Sequence, residues 1–115
     1  MSFINEDIED ALKQYIVLLD AERYFEAHEI LEEVWYPRRL NKDPLANLLK
    51  GLINGAVAFE HLKRNRKNAV EKARKVMVAY DRYKVLCTGK IRYALFFRVA
   101  CEKIEELKNE HPEVW

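Results

Sequence analysis

Apolar residues recur along the chain at the three- and four-residue steps of amphipathic helices, not at the alternating step of a strand. Ile8, Leu12, Tyr15, Ile16 and Leu19 mark a first helix to about Asp20, with Asn5 as its N-cap and Glu6, Asp7 and Glu9 as first-turn carboxylates. A second helix covers about Arg23 to Tyr36, where Pro37 is expected to end it. Asp43 followed by Pro44 supplies an N-cap and a first-turn proline for a third helix reaching about Lys63. Ala69, Val70, Ala73, Val76, Met77 and Tyr80 predict a fourth, ending near Thr88 and Gly89. Tyr93, Phe96, Phe97, Ala100, Ile104 and Leu107 predict a fifth, from about Lys90 to Asn109, and the tail from Glu110 is expected to fray with His111 solvated. The expectation is all-α: residues 1–115 as one domain, a bundle or array of about five helices.

Two features interrupt this pattern. Gly51 and Gly55 lie one turn apart on the third helix's apolar face with Leu48, Leu52, Ala58 and Phe59. Each glycine costs a helix interior about 1 kcal/mol against alanine, so close approach of a neighbouring helix backbone is expected there. The second interruption is the stretch FEAHEILEEVW, Phe25 to Trp35. A wheel puts Phe25, Glu32, His28, Trp35, Tyr24, Leu31, Ala27 and Val34 on one arc, with His28 and Glu32 in its middle and Glu26, Glu29 and Glu33 opposite.

A His and a Glu four residues apart are neighbours on the helix, and in a core each needs a partner. The order His then Glu opposes the helix dipole, so the arrangement must have a tertiary reason. Three readings are open. The pair is a packing network satisfied with Trp35 or a tyrosine; or it is two ligands of a divalent metal such as zinc, with His61, Glu29 or Asp81 as the third; or it is a metal-free pocket in which Glu32 and His28 share a proton. An antiparallel hairpin about a loop at 36–43 sets residue 28 near residue 52. That brings Lys50 and Asn54 towards the pair and leaves His61 roughly 10 Å further along the axis.

Composition adds limits. Half of the 115 residues are hydrophobic and 34% are charged, with 3 Gly and 3 Pro, which excludes low complexity and disorder. No apolar run approaches the roughly 18–20 residues of a membrane span, and the acidic N-terminus lacks a signal-peptide pattern, so a cytoplasmic protein is expected. Cys87 and Cys101 form no metal-ligand spacing and read as two buried free thiols. The Lys, Arg and Glu content matches the balance of heat-adapted proteins.

The net charge of +1 conceals a division: residues 1–35 hold 10 acidic and 2 basic side chains, residues 36–98 hold 16 basic and 4 acidic. Such a split marks either two faces that attract each other or a surface for an acidic partner. Lys63, Arg64, Arg66, Lys67, Arg74 and Lys75 could meet nucleic-acid phosphates. No aromatic residue interleaves with them to stack bases, which favours a solvated face. Homo-oligomerisation through the third or fifth helix is compatible with the pattern.

The motif at His28, Glu29, Glu32 and Trp35 resembles the HxxxExxW signature of the family catalogued as domain of unknown function 309. The segment LLKGLINGAVAFEHLKRN is similar to its second motif at Gly51 and His61, with Lys50 and Asn54 where the family tends to show glutamines. The resemblance covers about residues 10–80 and implies an all-helical fold. It also implies a predicted metal-dependent hydrolase, with His28, Glu32 and His61 as the metal residues. ERYFEAHEILEEVW is similar, too, to the first helix of a tetratricopeptide repeat, which would imply a helical scaffold; the second helix and terminal proline of such a repeat are missing.

Overall fold

The computed structural model describes residues 7–115. Five helices succeed one another: α1 (Ile8–Asp20), α2 (Tyr24–Leu40), α3 (Leu45–Arg64), α4 (Ala69–Tyr83) and α5 (Ala94–Glu110). Short 3₁₀ turns follow α4 at Lys84–Leu86 and α5 at Pro112–Val114, and no strand occurs among the described residues. None of these helices is long and apolar enough to cross a membrane.

Asp7 caps α1, its carboxylate accepting from the Glu9 and Asp10 amides; the expected cap Asn5 lies outside the described residues. At α3 the Asp43 carboxylate accepts the Leu45 amide at 2.8 Å across Pro44, so the Asp-Pro signal works as read. α3 is the central helix and is buried on more than one face: Leu45, Leu48, Leu49, Leu52, Ile53, Ala56 and Phe59 all enter the core. α2 and α4 pack along it, and α1 packs on α2 and α5. Tyr15 of α1 donates its hydroxyl to the Leu52 carbonyl at 2.6 Å, a polar tie inside the core.

Gly51 has the expected cause, a neighbouring helix backbone, whereas Gly55 makes room for side chains. A Cβ on Gly51 would lie 2.9 Å from Tyr83 Cβ and 3.7 Å from the Tyr80 backbone, and one on Gly55 would lie 3.0 Å from Ile104 Cδ1. Gly51 admits α4 and Gly55 admits α5.

Several boundaries differ from expectation. α4 ends at Tyr83, five residues before Thr88, where the chain tightens into the 3₁₀ turn Lys84–Leu86. Pro37 lies inside α2, which runs to Leu40. A proline removes its own amide, here the donor for the Glu33 carbonyl, but its fixed φ suits the residues that follow. Arg38 Nη1 donates to the Val34 carbonyl at 2.9 Å, supporting this last turn. α5 begins at Ala94 rather than near Lys90, because Thr88 holds a turn (its carbonyl accepts from Ile91, its hydroxyl from the Lys90 amide) and Tyr93 adopts a left-handed φ of 60°.

The tail does not fray: Val114 is buried, the Trp115 indole donates to the Lys108 carbonyl at 2.8 Å, and His111 packs on Phe59 with ring centroids 5.8 Å apart. Val114 supplies a core side chain that the short segment does not advertise.

Between α4 and α5, Lys108, with its side chain only 7% exposed, donates to Asp81 at 2.8 Å. Lys84 bridges Asp81 and Glu105, and Tyr80 donates to Glu105 at 2.6 Å. Burial raises the Asp81 carboxyl, but hydrogen bonds from Lys108 and Lys84 outweigh it and leave the group below its ordinary value of 3.8. A depressed carboxylate contributes stability that is present above that value and lost as pH falls through the lower folded-state value. Asp81→Asn should therefore lower the melting temperature at neutral pH, and its gap to wild type should shrink below pH 3.8. A gap that stays constant into acid would contradict this.

Candidate functional site

α2 buries Tyr24, Ala27, Leu31 and Val34. This set places the centre of its buried face away from Phe25, which is 43% exposed. His28 and Glu32 consequently sit at the edge of the core face, with side chains 20% and 44% exposed, and not in its middle. The wheel overstated their burial because it counted Phe25 and Trp35 as core by residue type; Trp35 is only half-buried.

The two side chains do meet. His28 Nε2 lies 2.5 Å from Glu32 Oε1, and Nδ1 lies 3.0 Å from the Phe25 carbonyl, which it can approach only as a donor. The Phe25 ring stands edge-on to the imidazole at 5.3 Å. The Nε2 nitrogen thus faces the Glu32 carboxylate.

The register of α2 against α3 also differs from the sequence estimate. Tyr24 meets Phe59 and Trp35 meets Lys50, so His28 falls opposite Ala56, about one turn from the expected residue 52. Because α2 continues to Leu40, the hairpin turn lies later in the chain and carries the pairing with it. Lys50 thus faces Trp35 rather than the His–Glu pair, with its ammonium 4.5 Å from the ring centroid. Asn54, half-buried, lies one turn further along α3, and Glu29 is exposed.

The candidate third ligands lie elsewhere. His61 is held below the ordinary imidazole value by burial first, then by the positive charges of Lys72 on α4 and Arg64. These two cations, opposed by the Glu60 carboxylate, disfavour a bound metal ion. Asp81 belongs to the Lys108 network. Among the described residues no group of three His, Cys, Asp or Glu side chains could hold a metal ion. The residues present thus do not fit a divalent metal such as zinc, for which three protein ligands are usual at a catalytic site.

What gathers at this end of α2 is positive charge on an aromatic ring. Arg39 lies 5.5 Å from the Trp35 centroid, on the same ring that Lys50 approaches. Arg39 was missed because a helix ending at Tyr36 leaves it in a loop; once α2 passes Pro37, Trp35 and Arg39 are i and i+4 neighbours. The basic run at the α3–α4 junction is partly engaged within the protein. Lys63 donates to the Glu22 carbonyl, Arg64 to Glu60 and Arg74 to the Glu113 carbonyl, while Arg66, Lys67 and Lys75 are exposed. Aromatic rings do accompany this run in space, although not in sequence: Lys63 lies over Tyr24 and Arg64 over Phe25.

The chain matches the family model described as domain of unknown function (DUF309) over residues 12–73. That span holds α2 and α3 whole, with His28, Glu32, Trp35, Lys50 and His61. No curated protein and no solved structure matches it.

Proposed function

This chain belongs to the DUF309 family, and we propose that it is a helical binding module that takes an anionic group on its α2–α3 face, through Lys50 and Arg39 beside Trp35. The observation that carries this reading is the Lys50 ammonium 4.5 Å over the Trp35 ring, with the Arg39 guanidinium on the same indole. Two cations drawn to one ring repel each other, and a carboxylate or phosphate oxygen between them relieves that repulsion. The indole beneath fixes where the cations stand and offers an apolar floor to the rest of the partner. In this reading the His28–Glu32 pair fixes the surface of α2 one to two turns away and performs no chemistry. A cytoplasmic setting belongs to the same proposal, in keeping with two free thiols.

The test uses a fluorescently labelled heparin fragment as a generic polyanion. Binding should be saturable and should weaken with salt. Lys50→Met should weaken it on the order of tenfold, or about 1.4 kcal/mol. Lys67→Met, on the exposed part of the basic run, should leave it within about twofold. Equal losses from both variants, or no binding at low salt, would sink the reading.

A further inference from the structure

Away from this face, the two cysteines line the same groove. Cys87 closes the 3₁₀ turn Lys84–Leu86, its amide donating to the Lys84 carbonyl at 3.0 Å. Cys101 lies two turns into α5, its carbonyl accepting from the Tyr80 hydroxyl at 3.2 Å. Both line one open groove of about 320 Å³ with Tyr80, Lys84, Arg98 and Glu105. Both thiols are free. Neither belongs to the α2–α3 face, and both are partly buried at the margin of the core rather than buried as expected.

We propose that Cys87 and Cys101 form a reversible intramolecular disulfide that ties the segment after α4 to α5 under oxidising conditions. The position of both cysteines on one solvent-open groove carries the inference, because a disulfide requires two thiols that need little backbone movement to meet. The oxidant is a small-molecule disulfide such as oxidised glutathione. The Cys87 thiolate attacks one of its sulfurs, expels the first thiolate and leaves a mixed disulfide on Cys87. Cys101 then loses its proton and attacks the Cys87 sulfur, expelling the second thiolate. One protein S–S bond replaces the S–S bond of the oxidant, and the two protein protons and two electrons leave with two thiol molecules.

Cys87 is the entry point. Burial raises its thiol, while the hydrogen bond from Cys101 and the charge of Arg98 act in the opposite sense. Burial, followed by the Cys87 charge, pushes Cys101 up to about 12. Thiolate is therefore scarce at neutral pH, and exchange should be slow there and accelerate with rising pH. This behaviour suits a site that follows the sustained redox poise of its surroundings rather than a brief oxidant pulse.

The full chain is equilibrated with mixtures of reduced and oxidised glutathione, quenched in acid and weighed intact. The expected product lacks two hydrogens, carries no glutathione, and returns to the dithiol when reduced glutathione is in excess. Cys101→Ser should instead carry a single glutathione. The proposal is overturned if wild type keeps both thiols in oxidised glutathione alone, accumulates glutathione adducts, or links only between molecules. The wild-type measurement decides the matter even where a variant does not fold.

Discussion

Phe59→Ala should destabilise the protein by about 3–5 kcal/mol, the range for emptying a buried aromatic site. Phe59 is 1% exposed on the central helix, and its ring contacts Tyr24 of α2 and His111 of the tail, each at 5.8 Å between centroids. Its removal leaves one void that three parts of the chain line. None can collapse into it alone: α2 and α3 are held by the rest of their interface, and the tail by Val114 and Trp115. At roughly 4 °C or more per kcal/mol, the melting temperature should fall by more than ~12 °C. Phe59→Leu keeps most of the volume and should cost less than about 1.5 kcal/mol. Urea unfolding of both variants checks the pair. Equal small losses would mean that the tail does not close over Phe59 and that the ring faces water.

Gly51→Val is the second large effect, expected at about 3 kcal/mol, the upper part of the overpacking range. The new Cβ would meet Tyr83 Cβ at 2.9 Å, with the Tyr80 backbone just behind. Tyr83 Cβ moves only with the α4 backbone, so relief requires separating two helices along their closest approach. Gly51→Ala separates the opposing terms. It gains about 1 kcal/mol of helix propensity and meets the same contact, so it should destabilise by less than the valine variant. An alanine variant more stable than wild type would show that α3 and α4 do not approach as closely as described. Gly55→Ala should be milder, since its obstacle is the flexible end of Ile104.

Helix identity was legible because it rests on local periodicity, and the α3 start was legible because Asp43 and Pro44 act through their own backbone. The function of the glycines was readable for a similar reason: two costly residues one turn apart on an apolar face imply a neighbour that needs the space. Errors arose where one local signal was weighed without its tertiary counterpart. Pro37 reads as a stop, but α2 continues for another turn, and that single turn moved the register of α2 on α3 and with it every inference about what faces His28. The tail reads as polar and short, but Val114 finds the core. The groove shared by Cys87 and Cys101 could not be read at all, because it depends on how the turn after α4 returns to α5.

The candidate site shows the same division. That His28 and Glu32 touch follows from their spacing; that they lie at the rim and not in the core follows from which flank α3 covers. The sequence puts two metal-type ligands in view, whereas the fold sets a lysine and an arginine on the adjacent tryptophan and leaves His61 beside Lys72 and Arg64 as well as Glu60. On the proposed reading this face receives an anion, not a metal cation. In Trp115→Phe, Trp35 is the sole indole, and its emission reports the site directly. Titrated with zinc and then with the heparin fragment, Trp35 emission should stay flat with the first and change saturably with the second. A stoichiometric response to zinc that His28→Ala abolishes would contradict the account.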